Sequence, residues 1–178
     1  MLGDLKSHSQ HSRIPILIGM RGSGKSTIAP RLAKELGVNW VDADLELEHR
    51  TSKSIPELFA QGEPLFRNLE EELLVELCSM ENMIVATGGG AVLSPIIRTI
   101  LKERLTIFLD TPVDILSQRI QGSDRPSLTG KPIEDEIEST LQERRPFYES
   151  CAAVVIHVHQ STSPEDIVKS ILGRIPAE

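Results

Sequence analysis

Apolar runs of strand length alternate along the chain with segments of helical spacing. Ile14 to Ile18 predicts a buried strand. Ile28 to Leu36 has apolar residues at helical intervals and stops at Gly37, a residue that closes helices because it adopts the left-handed conformation without strain. Val38 to Val41 predicts a second strand. Leu45 to Arg50 and Pro56 to Gln61 predict short helices, the latter capped by Ser54 with Glu57 following in capping-box spacing. Phe66, Leu69, Leu73, Leu74 and Leu77 form a helical stripe. Met83 to Ala86 is a third strand, Ser94 to Glu103 a helix opened by Ser-Pro, Leu105 to Leu109 a fourth strand, and Thr111-Pro112 the start of another helix. Gly122 to Pro132 is polar and broken by Gly and Pro, so it reads as a loop. Ile133 to Glu149 is helical, Ala153 to Val158 a fifth strand, and Pro164 to Leu172 a closing helix.

This alternation implies an α/β fold, a parallel sheet with helices on both faces. The strands are near-continuous apolar runs, as double coverage requires. Ligands in such folds gather at the carboxyl ends of the strands. The informative residues should therefore follow Ile18, Val41, Ala86 and Leu109.

A length of 178 residues suits one domain, over residues 14–178, with no repeat or linker dividing it. Residues 1–13 are polar, lack the apolar core of a signal peptide, and read as a flexible arm in which His8 and His11 belong to the tail rather than to a metal site. The net charge of -7 argues against non-specific nucleic-acid binding. No apolar run reaches the ~18 residues of a membrane span. Cys78 and Cys151 are too few for a disulfide scaffold, which points to the cytoplasm; Cys78 reads as a small buried hydrophobe. No nucleic-acid or membrane partner is expected.

After the first strand comes GMRGSGKST, Gly19 to Thr27. Gly19, Gly24, Lys25 and Ser26 satisfy G-x-x-x-x-G-K-[ST], with a strand before and a helix after. Glycines let backbone N–H groups converge on phosphate oxygens, and the helix N-terminus adds partial positive charge. In this motif the lysine reaches the β and γ phosphates and the hydroxyl ligates Mg²⁺. Gly22, Ser23, Gly24, Lys25, Ser26 and Thr27 are thus expected to bind a nucleoside triphosphate. No Asn-Lys-x-Asp element reads guanine, which favours ATP.

The other strand ends carry the remaining chemistry. Asp42 and Asp44 follow the second strand; one can face a metal and its waters and the other a substrate hydroxyl, although a capping aspartate with a solvated neighbour has the same spacing. Gly88 to Gly90 follow the third strand and permit a substrate to lie against bare backbone; a tight turn is the plainer alternative. Arg67 and Glu70 share a helix face opposite the leucine stripe, as an aimed arginine or an ordinary surface pair would. Arg125 lies where a mobile lid could bring it over the phosphates. Arg144 and Arg145 lie near the end of a long helix, where cations also complement the dipole. Asp110 reads as a turn into the next helix, His157 and His159 as too few ligands for a metal, and Trp40, Phe59 and Phe66 as packing residues.

The segments GMRGSGKST, DADLELEHRT, GEPLFRNLEEE, ATGGGAV, DRPSL and ERRPFY, in this order, resemble the shikimate kinase family of adenylate-kinase-like P-loop kinases. The resemblance runs from about Ile14 to Leu172. It implies five parallel strands in the order 2-3-1-4-5, a mobile lid at about residues 122–132, and ATP-dependent phosphorylation of the 3-hydroxyl of shikimate. It implies Lys25, Asp44 and Arg125 as catalytic residues, and Arg119 and Pro164 on the adenine side. Arg67, Glu70, Gly88, Gly89, Gly90 and Arg144 would surround shikimate; Ser26 and Asp42 would support Mg²⁺. The R-x-P-x-Y register picks Arg144 over Arg145, and Ser127 replaces a leucine of the usual lid. The expected partners are ATP and shikimate, and the expected state is a monomer. Related gluconate or nucleotide kinases, or a non-catalytic nucleotide-binding relative, are the alternatives.

Overall fold

Five parallel strands carry the molecule: β1 (Ile16–Ile18), β2 (Asn39–Asp42), β3 (Met83–Ala86), β4 (Thr106–Asp110) and β5 (Val154–His157). They hydrogen-bond in the order β2-β3-β1-β4-β5. The structure is a computed structural model that describes residues 14–121 and 132–175. Its helices are α1 (Lys25–Leu36), α2 (Ala43–Thr51), α3 (Ile55–Ala60), α4 (Glu63–Ser79), α5 (Pro95–Lys102), α6 (Val113–Gln121), α7 (Ile133–Cys151) and α8 (Pro164–Leu172), with a 3-10 turn at Ala91–Leu93. The fold class and strand order expected from the sequence are therefore observed.

Alternate strand residues point to opposite faces, and both faces are covered. Ile16, Ile18, Val85 and Phe108 join one core with Leu73 and Leu77 of α4, Ile97 of α5 and Ile137 of α7. Leu17, Ile84, Ile107 and Leu109 join the other with Ile28 and Leu32 of α1 and Ile167 and Ile171 of α8. Parallel register sets Asp42 beside Ala86 and Ile18 beside Phe108, so the residues that follow β1, β2 and β3 emerge at one rim.

The helices start where local chemistry allows. Ser54 and Glu57 form the expected capping box on α3, and Ser163 with Asp166 builds a second on α8. Helix α1 begins at Lys25, a turn earlier than its apolar spacing suggests, because polar residues fill the turn that faces the phosphate loop. Strand β1 begins after Pro15, which has no N–H to donate to a ladder. Trp40 does not pack as expected: on the edge strand β2 it is 41% exposed. Cys78 is buried among hydrophobic neighbours, and burial pushes its thiol up to about 11, so it stays protonated and inert at neutral pH. Burial raises the Cys151 thiol as well.

Gly37 ends α1 at φ 66°, and a Cβ there would meet no atom within 4 Å. Its value is conformational only. Gly37→Ala should lower stability by about 1 kcal/mol through left-handed strain, measured as a shift of the urea midpoint at unchanged slope.

Candidate active site

The phosphate loop is held open by its own lysine. Lys25 is 7% exposed, and its Nζ donates to the carbonyls of Gly19 (2.8 Å) and Met20 (2.9 Å). The ammonium thus bonds the loop that would wrap a phosphate chain. Gly24 precedes α1 at φ 102°, which aims the first N–H groups of the helix into the loop. Gly22 stands at φ 81°, and its carbonyl accepts from Arg119 Nη1 at 3.0 Å, so Arg119 in the last turn of α6 lies against the loop. Ser23 is fully buried, and Thr27 lies in the first turn of α1.

Asp42 caps a helix and also reaches the phosphate loop. One oxygen, Oδ1, caps α2 by accepting from the N–H groups of Asp44 (3.0 Å) and Leu45 (3.2 Å). The other accepts from the Ser26 hydroxyl at the start of α1. A hydroxyl and a carboxylate beside a phosphate loop are hard oxygen donors suited to Mg²⁺. Among the described residues no group of three or more His, Cys, Asp or Glu gathers to hold a metal. A Mg²⁺ ion that takes most of its ligands from water and phosphate needs no such group.

The acceptor side forms around Gly88–Gly90. Arg67 Nη1 donates to Glu70 Oε2 at 2.7 Å, and its Nε and Nη2 lie 3.3 Å from Glu63 Oε1. Its guanidinium carbon lies 5.0 Å from the Phe66 ring centroid and 5.5 Å from that of Phe59. Two carboxylates and two rings therefore fix its plane. Glu70 is 6% exposed, so it does not lie opposite the leucine stripe as its helical spacing suggested. Burial raises its carboxyl above the usual range. The Arg67 charge and hydrogen bond oppose that shift, and the Asp44 charge adds to it.

The three glycines serve side chains of this chain first. A Cβ at Gly88 would lie 2.6 Å from Asp44 Oδ1 and 2.6 Å from Glu70 Oε1; one at Gly90 would collide with Arg67 Nη1. None of the three has a positive φ, so close approach is what demands glycine here. The Gly89 carbonyl accepts from Arg144 Nη1 at 3.0 Å and from the Tyr148 hydroxyl. Tyr148 is fully buried and its hydroxyl is pushed up to about 12 by burial, so it stays protonated and keeps its proton on the Gly89 carbonyl.

Arg144 and Arg145 part company at Asp110. Arg145 gives two hydrogen bonds to Asp110, of 2.7 and 3.0 Å, and His157 Nδ1 lies 3.1 Å from the same carboxylate. Asp110 is thus an anchor for α7 rather than a simple turn residue. The histidines do not share a strand face, because β5 stops at His157 and His159 lies beyond it. Arg145 is held outside the site, and Arg144 faces it. One cavity of about 560 Å³ is lined by Met20 and Arg21 of the phosphate loop, Asp44, Arg67, Glu70 and Arg144, among others.

The family model described as Shikimate kinase matches residues 21–176. The chain belongs to the shikimate kinase family. It is 40% identical over 162 residues to a shikimate kinase of Microcystis aeruginosa, covering 90% of this chain and 85% of that protein. A shikimate kinase of Nostoc is 40% identical over 163 residues, 90% of each chain. The solved shikimate kinase of Acinetobacter baumannii, in complex with shikimate, superposes with a TM-score of 0.86 at 34% identity over 92% of each chain. A gluconokinase of Sinorhizobium meliloti shares the fold, with a TM-score of 0.54 at 15% identity.

Of the expected site residues, Asp44, Arg67, Glu70, Gly89, Gly90 and Arg144 meet at one cavity or its wall, with Gly88 directly behind the two carboxylates. Pro164 opens α8, which packs on α1, and does not line that cavity. Arg125, Ser127, the proposed lid and residues 1–13 lie outside the described residues. Sequence spacing missed Asp110 as the anchor of Arg145, Tyr148 as a support for Gly89, and a buried ion pair between Arg21 and Glu136. Glu136, Thr140 and Arg144 recur at intervals of four on the wall of the cavity, a signal that was present but unused.

The raised Glu70 carboxyl makes the folded state bind its proton more tightly than the unfolded chain does. Its contribution to stability therefore grows as pH falls from the raised value toward about 4.5. Paired thermal melts at neutral and mildly acid pH should show the native chain gaining on Glu70→Gln as pH falls. Parallel pH profiles for the two would contradict the burial assigned to this carboxyl.

Proposed function

We propose that the chain transfers the γ-phosphoryl group of ATP to the 3-hydroxyl of shikimate. The carrying observation is that Arg67, Arg144 and Asp44 line one cavity together with Met20 and Arg21 of the phosphate loop. Two guanidinium groups suit the carboxylate of the acceptor, and a carboxylate suits its hydroxyl. Family membership over nine-tenths of the chain supports this choice among acceptors.

Phosphoryl transfer depends mostly on positioning and charge stabilisation. On nucleotide binding Lys25 exchanges its two loop carbonyls for phosphate oxygens, so the loop is set for a charge it already surrounds. Backbone N–H groups of Gly22 to Thr27 cradle the phosphates, and Arg119 with Pro164 borders the adenine. Ser26 and Asp42 are the residues that would hold Mg²⁺, which would supply charge neutralisation to the phosphates. Arg67, kept in plane by Glu70, and Arg144, kept by Gly89, grip the shikimate carboxylate. Asp44 aligns the 3-hydroxyl and accepts its proton as the bond to phosphorus forms. Arg125 acts on the phosphates from the segment at residues 122–132, which excludes water. The enzyme works in the cytoplasm as a monomer on two small molecules, with neither nucleic acid nor membrane. The charge of -7 disfavours non-specific nucleic-acid binding, and among the described residues no helix is long and apolar enough to cross a membrane.

Release of ADP should be seen with shikimate, and not with gluconate or nucleoside monophosphates; turnover of either alternative in preference to shikimate would overturn the assignment. Lys25→Met should lower kcat by at least about a hundredfold. Arg67→Ala should raise KM for shikimate by about a hundredfold while ADP still binds; unchanged calorimetric affinity for both ligands would remove Arg67 from the acceptor site.

A further inference from the structure

Arg21 is the one charged residue within the phosphate loop other than Lys25. Its guanidinium pairs with Glu136, whose side chain is 1% exposed, in the first turn of α7. Both residues line the acceptor cavity. A buried carboxylate is tolerated only while its partner stays in reach, so this pair holds two elements at a set distance. Neither residue carries a role in the transfer described above.

The same two elements are linked a second time, indirectly, through Gly89. The Arg21 backbone packs on Gly89, where a Cβ would come within 3.0 Å of Arg21 N. The Gly89 carbonyl accepts from Arg144 on α7. Glu136 and Arg144 are on one helix face, about 12 Å apart along the axis. The Gly89 carbonyl and the Asp110–Arg145 hydrogen bonds hold the C-terminal half of α7. The Arg21–Glu136 pair, two turns away, ties the first turn of the helix to the phosphate loop.

We propose that Arg21 and Glu136 are a positioning pair that sets the register of α7 on the phosphate loop and thereby the placement of Arg144 on the acceptor's carboxylate. The inference rests on the acceptor site proposed above. It separates the two arginines of that site: Arg67 is aimed within its own helix by Glu70, whereas Arg144 rests on the Gly89 carbonyl and on a helix tied to the nucleotide loop. Damage to the pair should therefore reach the acceptor more than the nucleotide, although Arg21 belongs to the nucleotide loop.

The test is calorimetric titration of the full chain with shikimate and with ADP, for Arg21→Met, Glu136→Gln, the double variant and the conservative Arg21→Lys. Each single neutral variant should bind shikimate roughly tenfold more weakly, a coupling of the size that contacting residues show. ADP affinity should stay within about threefold. The double variant should be no weaker than either single one, and Arg21→Lys should keep most of the affinity. A pair that only supports the fold would lower the melting temperature without changing the ratio of the two affinities, and that result overturns the proposal. So does a loss seen with Arg21→Met and not with Glu136→Gln, which would make Arg21 a direct ligand. Should Glu136→Gln not fold, Arg21→Met and Arg21→Lys decide by the same ratio. Failure of the native chain to bind shikimate would instead overturn the acceptor assignment itself.

Discussion

Three missing side chains at the end of β3 are the constraint on which the site depends. The space a Cβ would fill at Gly88 is taken by the carboxylates of Asp44 and Glu70, and at Gly90 by the guanidinium of Arg67. At Gly89 the phosphate loop itself leans on the backbone. Charged groups from α2, α4, α7 and the phosphate loop can meet only because this strand end presents backbone and no bulk. The parallel sheet delivers each of those elements to the same rim, and the glycines let them close the last few ångströms.

Closing that distance has an electrostatic cost. Asp44 and Glu70 are like charges, and Glu70 is also withdrawn from water, so both effects raise its carboxyl. Arg67 offsets this with one short hydrogen bond, and two stacked rings hold the guanidinium in place. A pocket assembled this way is organised before an anion enters it, which limits the ordering cost of binding. Lys25 shows the same preorganisation on the nucleotide side, with loop carbonyls in the place phosphate oxygens would take.

Much of this was legible in the residues. The central strands β1, β3 and β4 were apolar runs, because each is buried on both faces. The phosphate loop stood out because four positions and both flanks agree. Burial of single charges was not legible. Arg67 and Glu70 have the spacing of any surface ion pair, and only the packing of α4 beside the glycine run shows that Glu70 faces inward. Likewise ERRPFY offers two adjacent arginines, and what parts them is visible only in space: Asp110, at the end of β4, engages Arg145, while Arg144 lines the cavity. Nothing in the local sequence marks Arg21, since its partner lies in a helix 115 residues away.

A crystal structure of this chain with shikimate and ADP is the most direct test of the central claim, that the rim around Gly88–Gly90 is the acceptor site. The account predicts the shikimate carboxylate between Arg67 and Arg144 and its 3-hydroxyl on Asp44, facing the phosphate loop. Shikimate bound away from those three side chains, or with its carboxylate turned toward Asp44, would contradict it.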